Sequence, residues 1–324
     1  MTNFDVFNGD ADGICALHQL RLAEPRDSIL ITGVKRDIEL LKKVHASVGD
    51  AVVALDISLD KNREALQNLL RQGAEITYVD HHFAGNIPTH PALQAVIDPS
   101  PEVCTSVLVN QMLHGRFGIW AVVAAFGDNL PECAKCSAAP LNLSIEELAM
   151  LRELGVCLNY NAYGDTVDDL FFHPAELYHR LHVYSNPFDF ITGESIFATL
   201  RQGYIADMAM AKAKRPERAY SGGSAYVLPD QPWSRRISGA FGNYLAQTEP
   251  RYAHAVLTHR QDGGYSVSVR APSANPIGAD ALCYQFETGG GRKSAGGINY
   301  LPETDLARFL DRFDASFCSW SGSG

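Results

Sequence analysis

The stretch "FDVFNGDADGICALHQL" (Phe4–Leu20) decides how the rest of the chain is read. "FDVF" has the texture of a strand. A glycine-flanked turn follows, and then a run with Ile14, Leu17 and Leu20 at helical spacing. The turn crowds Asp10 and Asp12 around a single alanine. Like charges at that spacing repel, so the turn implies a cation or a proton to be moved.

The strand-then-helix texture repeats over the first hundred residues. "SILIT" (28–32), "AVVALD" (51–56) and "EITYVD" (75–80) read as strands. "DIELLKKV" (37–44) reads as a helix, with Ile38, Leu41 and Val44 at helical spacing and Leu40 widening the stripe. "KNREALQNLLRQG" (61–73) reads as another, ended by Gly73. Short apolar strands separated by helices predict an α/β domain with a mostly parallel sheet flanked by helices.

From about Cys104 to Arg180 the pattern turns helical. "SIEELAMLRELG" (144–155) has Ser144 as N-cap, Glu147 three residues on, and Gly155 as its stop. "GESIFATLRQGYIADMAMAKAKRPER" (193–218) reads as a connecting helix interrupted near Gly203. Beyond Tyr220 the strands "GSAYVLP", "YAHAVLTHR" and "GGYSVSVRAP", with a helical "SGAFGNYLAQ" among them, predict a smaller α+β domain. The expected boundaries are 1–190 for the first domain, 191–217 for a helical linker and 218–324 for the second, with a cleft between the domains. The final "SWSGSG" (319–324) reads as a flexible tail. No fixed-period repeat is visible.

The 324 residues suit two domains better than one core. A net charge of −10 argues against the electropositive groove that a long duplex requires. Seven cysteines, an odd number, behind an N-terminus with neither basic leader nor apolar core, imply reduced thiols and a cytoplasmic setting. No apolar run approaches the roughly 20 residues of a membrane span. "CAKC" (133–136) lacks a second ligand pair at finger-like spacing and reads as a loop with incidental thiols.

Parallel sheets place ligands at the carboxyl ends of their strands. Asp10 and Asp12 follow the first strand, Asp56 ends the third, and Asp80, His81 and His82 close "EITYVD". Asp128 ends the apolar run "AVVAAFGD", taken as one more strand-terminal acid. Five carboxylates and two imidazoles in one crevice call for cations. An Asp/His set without cysteine suits Mn²⁺ or Mg²⁺.

"DADG", "LDIS", "VDHH" and "GDN", in this order, resemble the N-terminal motifs of the DHH phosphoesterase superfamily. "VSVRAP" and "TGGGRKSAGG" resemble the DHH-associated C-terminal domain, and the likeness spans most of the chain. The family comprises manganese-dependent phosphodiesterases and phosphatases, among them RecJ-like exonucleases, nanoRNase/pAp phosphatases and cyclic dinucleotide phosphodiesterases. The resemblance implies two Mn²⁺ ions, with Mg²⁺ an alternative. Asp10 would ligate one ion, Asp12 the other, and Asp56 both. His81 and Asp128 would complete the second ion's ligands. His82 would lie beside the scissile phosphate and Asp80 would orient a histidine. Arg270, Gly289, Gly290, Gly291, Arg292 and Lys293 would bind substrate phosphate, the glycines by letting backbone N–H groups approach an anion.

Two positions depart from the family pattern. Val6 stands where many members have a histidine, with Asn8 offering a neutral oxygen nearby as a possible addition to the ion's ligands. Arg292 replaces the histidine of the glycine-rich motif; arginine forks well onto phosphate but supplies no neutral imidazole. The expected substrate is a small or short phosphorylated one: a short oligonucleotide, a pAp-like nucleotide or a cyclic dinucleotide. The competing readings are a non-catalytic phosphoryl-ligand binder and a haloacid-dehalogenase-like phosphatase with Asp10 as nucleophile.

Overall fold

A computed structural model describes residues 1–318; the tail expected at 319–324 lies outside the described residues. The chain divides into two compact units, the first Met1–Gln202 and the second beginning at Gly203.

In the first unit, strands β1 (Asn3–Phe7), β2 (Ile29–Ile31), β3 (Ala51–Leu55), β4 (Glu75–Asp80) and β5 (Leu93–Ile97) form a sheet in the order β2-β1-β3-β4-β5. All neighbours are parallel. Helix α1 (Ala11–Ala23) follows β1, and α2 (Leu59–Arg71) follows β3. Alternate residues of each strand feed the two faces, as a pleated strand requires. Phe7, Val53, Leu55 and Val79 join one apolar cluster; Phe4, Val6, Val52, Ala54 and Tyr78 join the other. This strand order reverses direction between β1 and β3, so the crevice beyond their carboxyl ends is the natural ligand position.

The helical stretch expected after Cys104 comprises α3 (Thr105–Met112), α4 (Gly118–Gly127), α5 (Pro131–Ala138), α6 (Ile145–Tyr160), α7 (Pro174–His182) and α8 (Pro187–Gly193). α1 packs against α3, α4, α6 and α7 as well as the sheet, which is why it is buried nearly all round.

Several expectations need correction. "DIELLKKV" holds only a 3₁₀ turn, Leu40–Lys43. The Asn62 side chain accepts from the Leu41 amide and donates to the Ile38 carbonyl, so these backbone groups are satisfied from α2 and not by a helix of their own. "AVVAAFG" belongs to helix α4, and Asp128 is a helix C-cap, not a strand end. A short continuous apolar run does not distinguish a strand from a buried helix. Gly155 does not stop α6, which runs on to Tyr160. A side chain there would overlap the Val123 carbonyl and crowd the Gly127 amide, so the glycine exists for close contact between α4 and α6. The capping box at Ser144 and Glu147 is present as expected. "CAKC" lies in α5 and not in a loop. Strand β5, between Pro91 and Pro99, escaped the sequence reading.

Helix α9 (Ser195–Lys212) runs through Gly203 without the expected interruption. The second unit carries β6 (Arg218–Tyr220), β7 (Gly223–Leu228), α10 (Pro232–Thr248), β8 (Ala253–His259), β9 (Tyr265–Arg270), α11 (Ala279–Cys283), β10 (Gly289–Arg292), β11 (Ala295–Leu301) and α12 (Leu306–Phe317). Its sheet is ordered β10-β11-β9-β8-β7-β6 and is antiparallel except between β7 and β8. No helix of the described residues is long and apolar enough to cross a membrane.

Candidate metal centre

Asp10 is the N-cap of α1. Its Oδ1 accepts from the amides of Asp12 and Gly13, at 3.0 and 3.1 Å, satisfying donors that every helix start leaves open. Its Oδ2 accepts from the ammonium of Lys35. Burial works to raise the Asp10 carboxyl, but Lys35 and then the Gly13 amide bring it down to about 2.

Asp12, one turn further, is buried and bidentate. It accepts from the amides of Thr105 (2.8 Å) and Ser106 (2.7 Å), the first two residues of α3. Burial pushes its carboxyl up, with Asp128 and Asp10 adding to the shift and His81 opposing it. Asp56 closes β3 in a left-handed conformation, φ 58°, which turns the chain sharply off the sheet. Its Oδ1 accepts from the Thr105 hydroxyl at 3.2 Å and lies 3.4 Å from His81 Nε2. Burial first, then Asp10 and Asp12, push this carboxyl well above the usual range.

Asp128 arrives from the end of α4. A side chain at Gly127 would overlap Ala11 at the start of α1, so glycine there permits the approach. Its two oxygens divide: Oδ1 is 3.3 Å from Lys35 Nζ and Oδ2 is 3.8 Å from His81 Nε2.

His81 Nδ1 lies 3.0 Å from the Val103 carbonyl. A carbonyl only accepts, so Nδ1 donates there, and in the neutral ring Nε2 presents its lone pair. That lone pair faces the oxygens of Asp56 (3.4 Å), Asp128 (3.8 Å) and Asp12 (3.9 Å). Four acceptors converging in a nearly water-free position repel unless a cation sits among them. Ligands 2.0–2.6 Å from one ion lie roughly 3–4 Å apart, which matches these separations. The chemistry of the donor set therefore fits a divalent ion of the Mn²⁺ or Mg²⁺ kind. Asp56, His81 and His82 also present donor atoms within 4.8 Å of one another.

His82 is half exposed, and its Nδ1 is 2.7 Å from Oδ1 of the fully buried Asp80. Burial opposes charge on this ring, but the Asp80 hydrogen bond and the charges of Asp56 and Asp80 hold its pKa above the usual histidine value. Val6 is buried in the apolar cluster with Phe4 and Ala54. Asn8 faces its own chain: Oδ1 accepts from the Asp10 amide and Nδ2 donates to the Lys35 carbonyl.

Lys35 is the residue that the sequence reading missed. It follows β2 in "TGVKRD", between Val34 and Arg36 and outside every motif that marks the other site residues. Its Nζ reaches Asp10, Asp128 and Asn159, the last at 3.3 Å, and stands 5.8 Å from the Tyr163 ring centroid. Burial works against its charge, but Asp10, Tyr163, Asp128 and Asp56 hold the ammonium well above the ordinary lysine range. A haloacid-dehalogenase route would require Asp10 to attack phosphorus, whereas both of its oxygens are engaged, one by α1 and one by Lys35.

In the second unit "GGGR" forms strand β10 of a hairpin with β11. Side chains at Gly289 and Gly291 would overlap the Cys283 carbonyl and the Gly296–Ala295 backbone, respectively, while one at Gly290 would make only an ordinary contact with the Tyr284 ring. Arg292 and Lys293 are exposed. The Arg270 guanidinium reaches Asn243 Oδ1 (2.6 Å), Ser268 Oγ (2.9 Å) and the Val269 carbonyl (3.1 Å). Of the aromatics near the motifs, Phe83 is exposed beside His82 and Tyr160 is buried.

No family model and no curated protein matches the chain. Solved structures do. The DHH domain of a protein described as belonging to a family of ribosomal proteins aligns over 97% of this chain and 86% of its own, at TM-score 0.64 and 15% identity. RecJ from Thermus thermophilus, in complex with Mn²⁺, aligns over 97% of this chain at TM-score 0.61 and 19% identity, and the alignment spans 51% of that longer protein. An exonuclease RecJ bound to manganese aligns over 100% of this chain and 91% of its own, at TM-score 0.53 and 17% identity. The chain has the fold of the DHH superfamily.

Proposed function

We propose that the chain is a divalent-metal-dependent phosphoesterase, with Mn²⁺ the preferred ion, acting on a small or short phosphorylated substrate in the cytoplasm. The observation that carries this reading is the lone pair of His81 Nε2 facing oxygens of Asp12, Asp56 and Asp128. The RecJ structures with manganese support the choice of ion for the same fold. The acidic balance of the chain supports a short substrate over a long duplex, and its odd number of cysteines, seven, suits a reducing compartment.

Asp12, Asp56, His81 and Asp128 would hold the ion. When bound it neutralises charge on the phosphate and lowers the pKa of water toward neutrality. Asp12 and Asp56 cannot swing away, because α3 holds one and the Thr105 hydroxyl the other. Asp80 fixes the His82 ring through Nδ1, which leaves Nε2 to donate a proton to a phosphate or leaving-group oxygen. In the net reaction, water oxygen bonds to phosphorus, the P–O ester bond breaks, and the departing alkoxide takes up a proton. Arg270, Arg292 and Lys293 would bind substrate phosphate. The two-ion count that the resemblance implies would require Asp10 to exchange Lys35 for an ion. The test is a Mn²⁺-dependent turnover assay across short oligonucleotides, pAp-like nucleotides and cyclic dinucleotides, with products identified. Binding without turnover on every substrate would favour the regulatory binder instead.

A further inference from the structure

The centre has two halves. Around His81 lie Asp12, Asp56 and Oδ2 of Asp128. Around Lys35 lie Asp10, Oδ1 of Asp128 and Asn159. Both halves are ringed by oxygens, but only the first lacks a cation of its own.

We infer that the Lys35 ammonium is a built-in replacement for one of the two cations, so that the site takes a single divalent ion per chain. This rests on the proposed metal-dependent reading for the His81 half.

Four observations support it. Lys35 is held by its backbone as well as its side chain: its amide donates to the Ala162 carbonyl at 2.9 Å, and its carbonyl accepts from Asn8 Nδ2 at 3.2 Å. Asn8 in turn accepts from the Asp10 amide, so one side chain locks the lysine segment to the acid it neutralises. Asp10 is already neutralised, because Oδ1 caps α1 and Oδ2 accepts from the ammonium, so an ion approaching Oδ2 would meet a second positive charge beside it. Finally, Val6 is packed in the apolar core and its side chain has no ligand atom that would favour an ion over the lysine.

An ammonium and a divalent ion do different work. The ammonium donates hydrogen bonds and has no open ligand position, so it cannot lower the pKa of a water by coordinating it, and it does not exchange with solvent ions. Asp10 and Lys35 are thereby positioning residues, and activation of water falls to the His81 half alone.

The test is the stoichiometry and spin state of bound Mn²⁺ in the whole chain, read by calorimetry and by electron paramagnetic resonance of frozen samples, neither of which needs turnover. The expected result is one Mn²⁺ per chain with the spectrum of an isolated ion, for the natural protein and for Lys35→Arg. Lys35→Met removes the charge at similar length and should admit a second ion, giving two per chain and an exchange-coupled spectrum. Two coupled ions in the unaltered protein would overturn the inference while leaving the metal-dependent reading intact. No bound ion at all would overturn the reading itself. If Lys35→Met still binds one ion, the lysine is not what excludes the second. Should that variant not fold, the unaltered protein and Lys35→Arg still decide the stoichiometry.

Discussion

Asp12 in the first unit and Arg292 in the second were both singled out by short motifs, yet their surroundings are opposite. Asp12 is 1% exposed and accepts from two amides of α3, while its neighbours Asp10, Asp56 and His81 are equally sunk in the unit. Arg292 stands on an exposed hairpin whose adjoining Gly291 is required by the close approach of the partner strand at Ala295 and Gly296. Where charges are desolvated, each is interlocked with the fold, and removing one leaves others without partners. Where they are solvated, each acts almost alone and is screened. The size of a substitution's effect should therefore follow burial, and this contrast can be tested step by step.

The largest effect is expected at Asp56. Asp56→Ala should cut Mn²⁺-dependent turnover by more than about 100-fold, the scale already found for outer partners of metal ligands, and EDTA should abolish it. Full activity of metal-free protein would break the comparison at its buried end. Next is Gly155→Ala. In an exposed helix that change stabilises by about 1 kcal/mol. Here the new methyl overlaps the Val123 carbonyl, so we expect a loss of about 1–3 kcal/mol in urea unfolding, with weaker Mn²⁺ binding as Asp128 is displaced.

A third experiment asks whether burial matters away from the centre. His18 is fully buried, with Nε2 3.0 Å from the Tyr184 carbonyl and Nδ1 3.3 Å from His182. Burial, then His182, lower its pKa from 6.5 to about 3. Between those values the unfolded chain binds a proton that the folded chain refuses. Stability is thus intact above pH 6.5 and falls as pH drops toward 3, by about 2 kcal/mol at pH 5. His18→Gln should flatten the urea midpoint between pH 7 and pH 5; an unchanged slope would show that the ring protonates in place. The smallest effect is expected at Arg292. Arg292→Ala should raise KM about fivefold, or ~1 kcal/mol, and leave kcat alone. A fall in kcat at constant KM would instead put the guanidinium in the transition state.

The strands of the first unit and the acids at their ends were legible because period-two burial and turn chemistry are local signals. Asp10, Asp12, Asp56 and His81 come together because parallel topology carries strand ends to one edge. Asp128 was found for the wrong structural reason, since an apolar run before a glycine fits a buried helix as well as a strand. Lys35 was not legible. Its role depends on Asn8, Asn159 and Ala162, up to 127 residues away, and no spacing along the chain encodes that meeting. Gly155 was misread because a glycine that allows two helices to touch looks, in sequence, like one that ends a helix.

The carboxylates of Asp10 and Asp12 each start a helix: Asp10 caps α1, and Asp12 binds the first two amides of α3. A descendant without the chemistry would still gain from both acids, because losing either leaves amides at the start of α1 or α3 without their acceptor, at about 0.5–2 kcal/mol. The "DADG" signature would then persist as an architectural fossil, with or without a reaction beside it. In chains of this build, the residues that report a living catalyst are those with no helix to hold, such as His82.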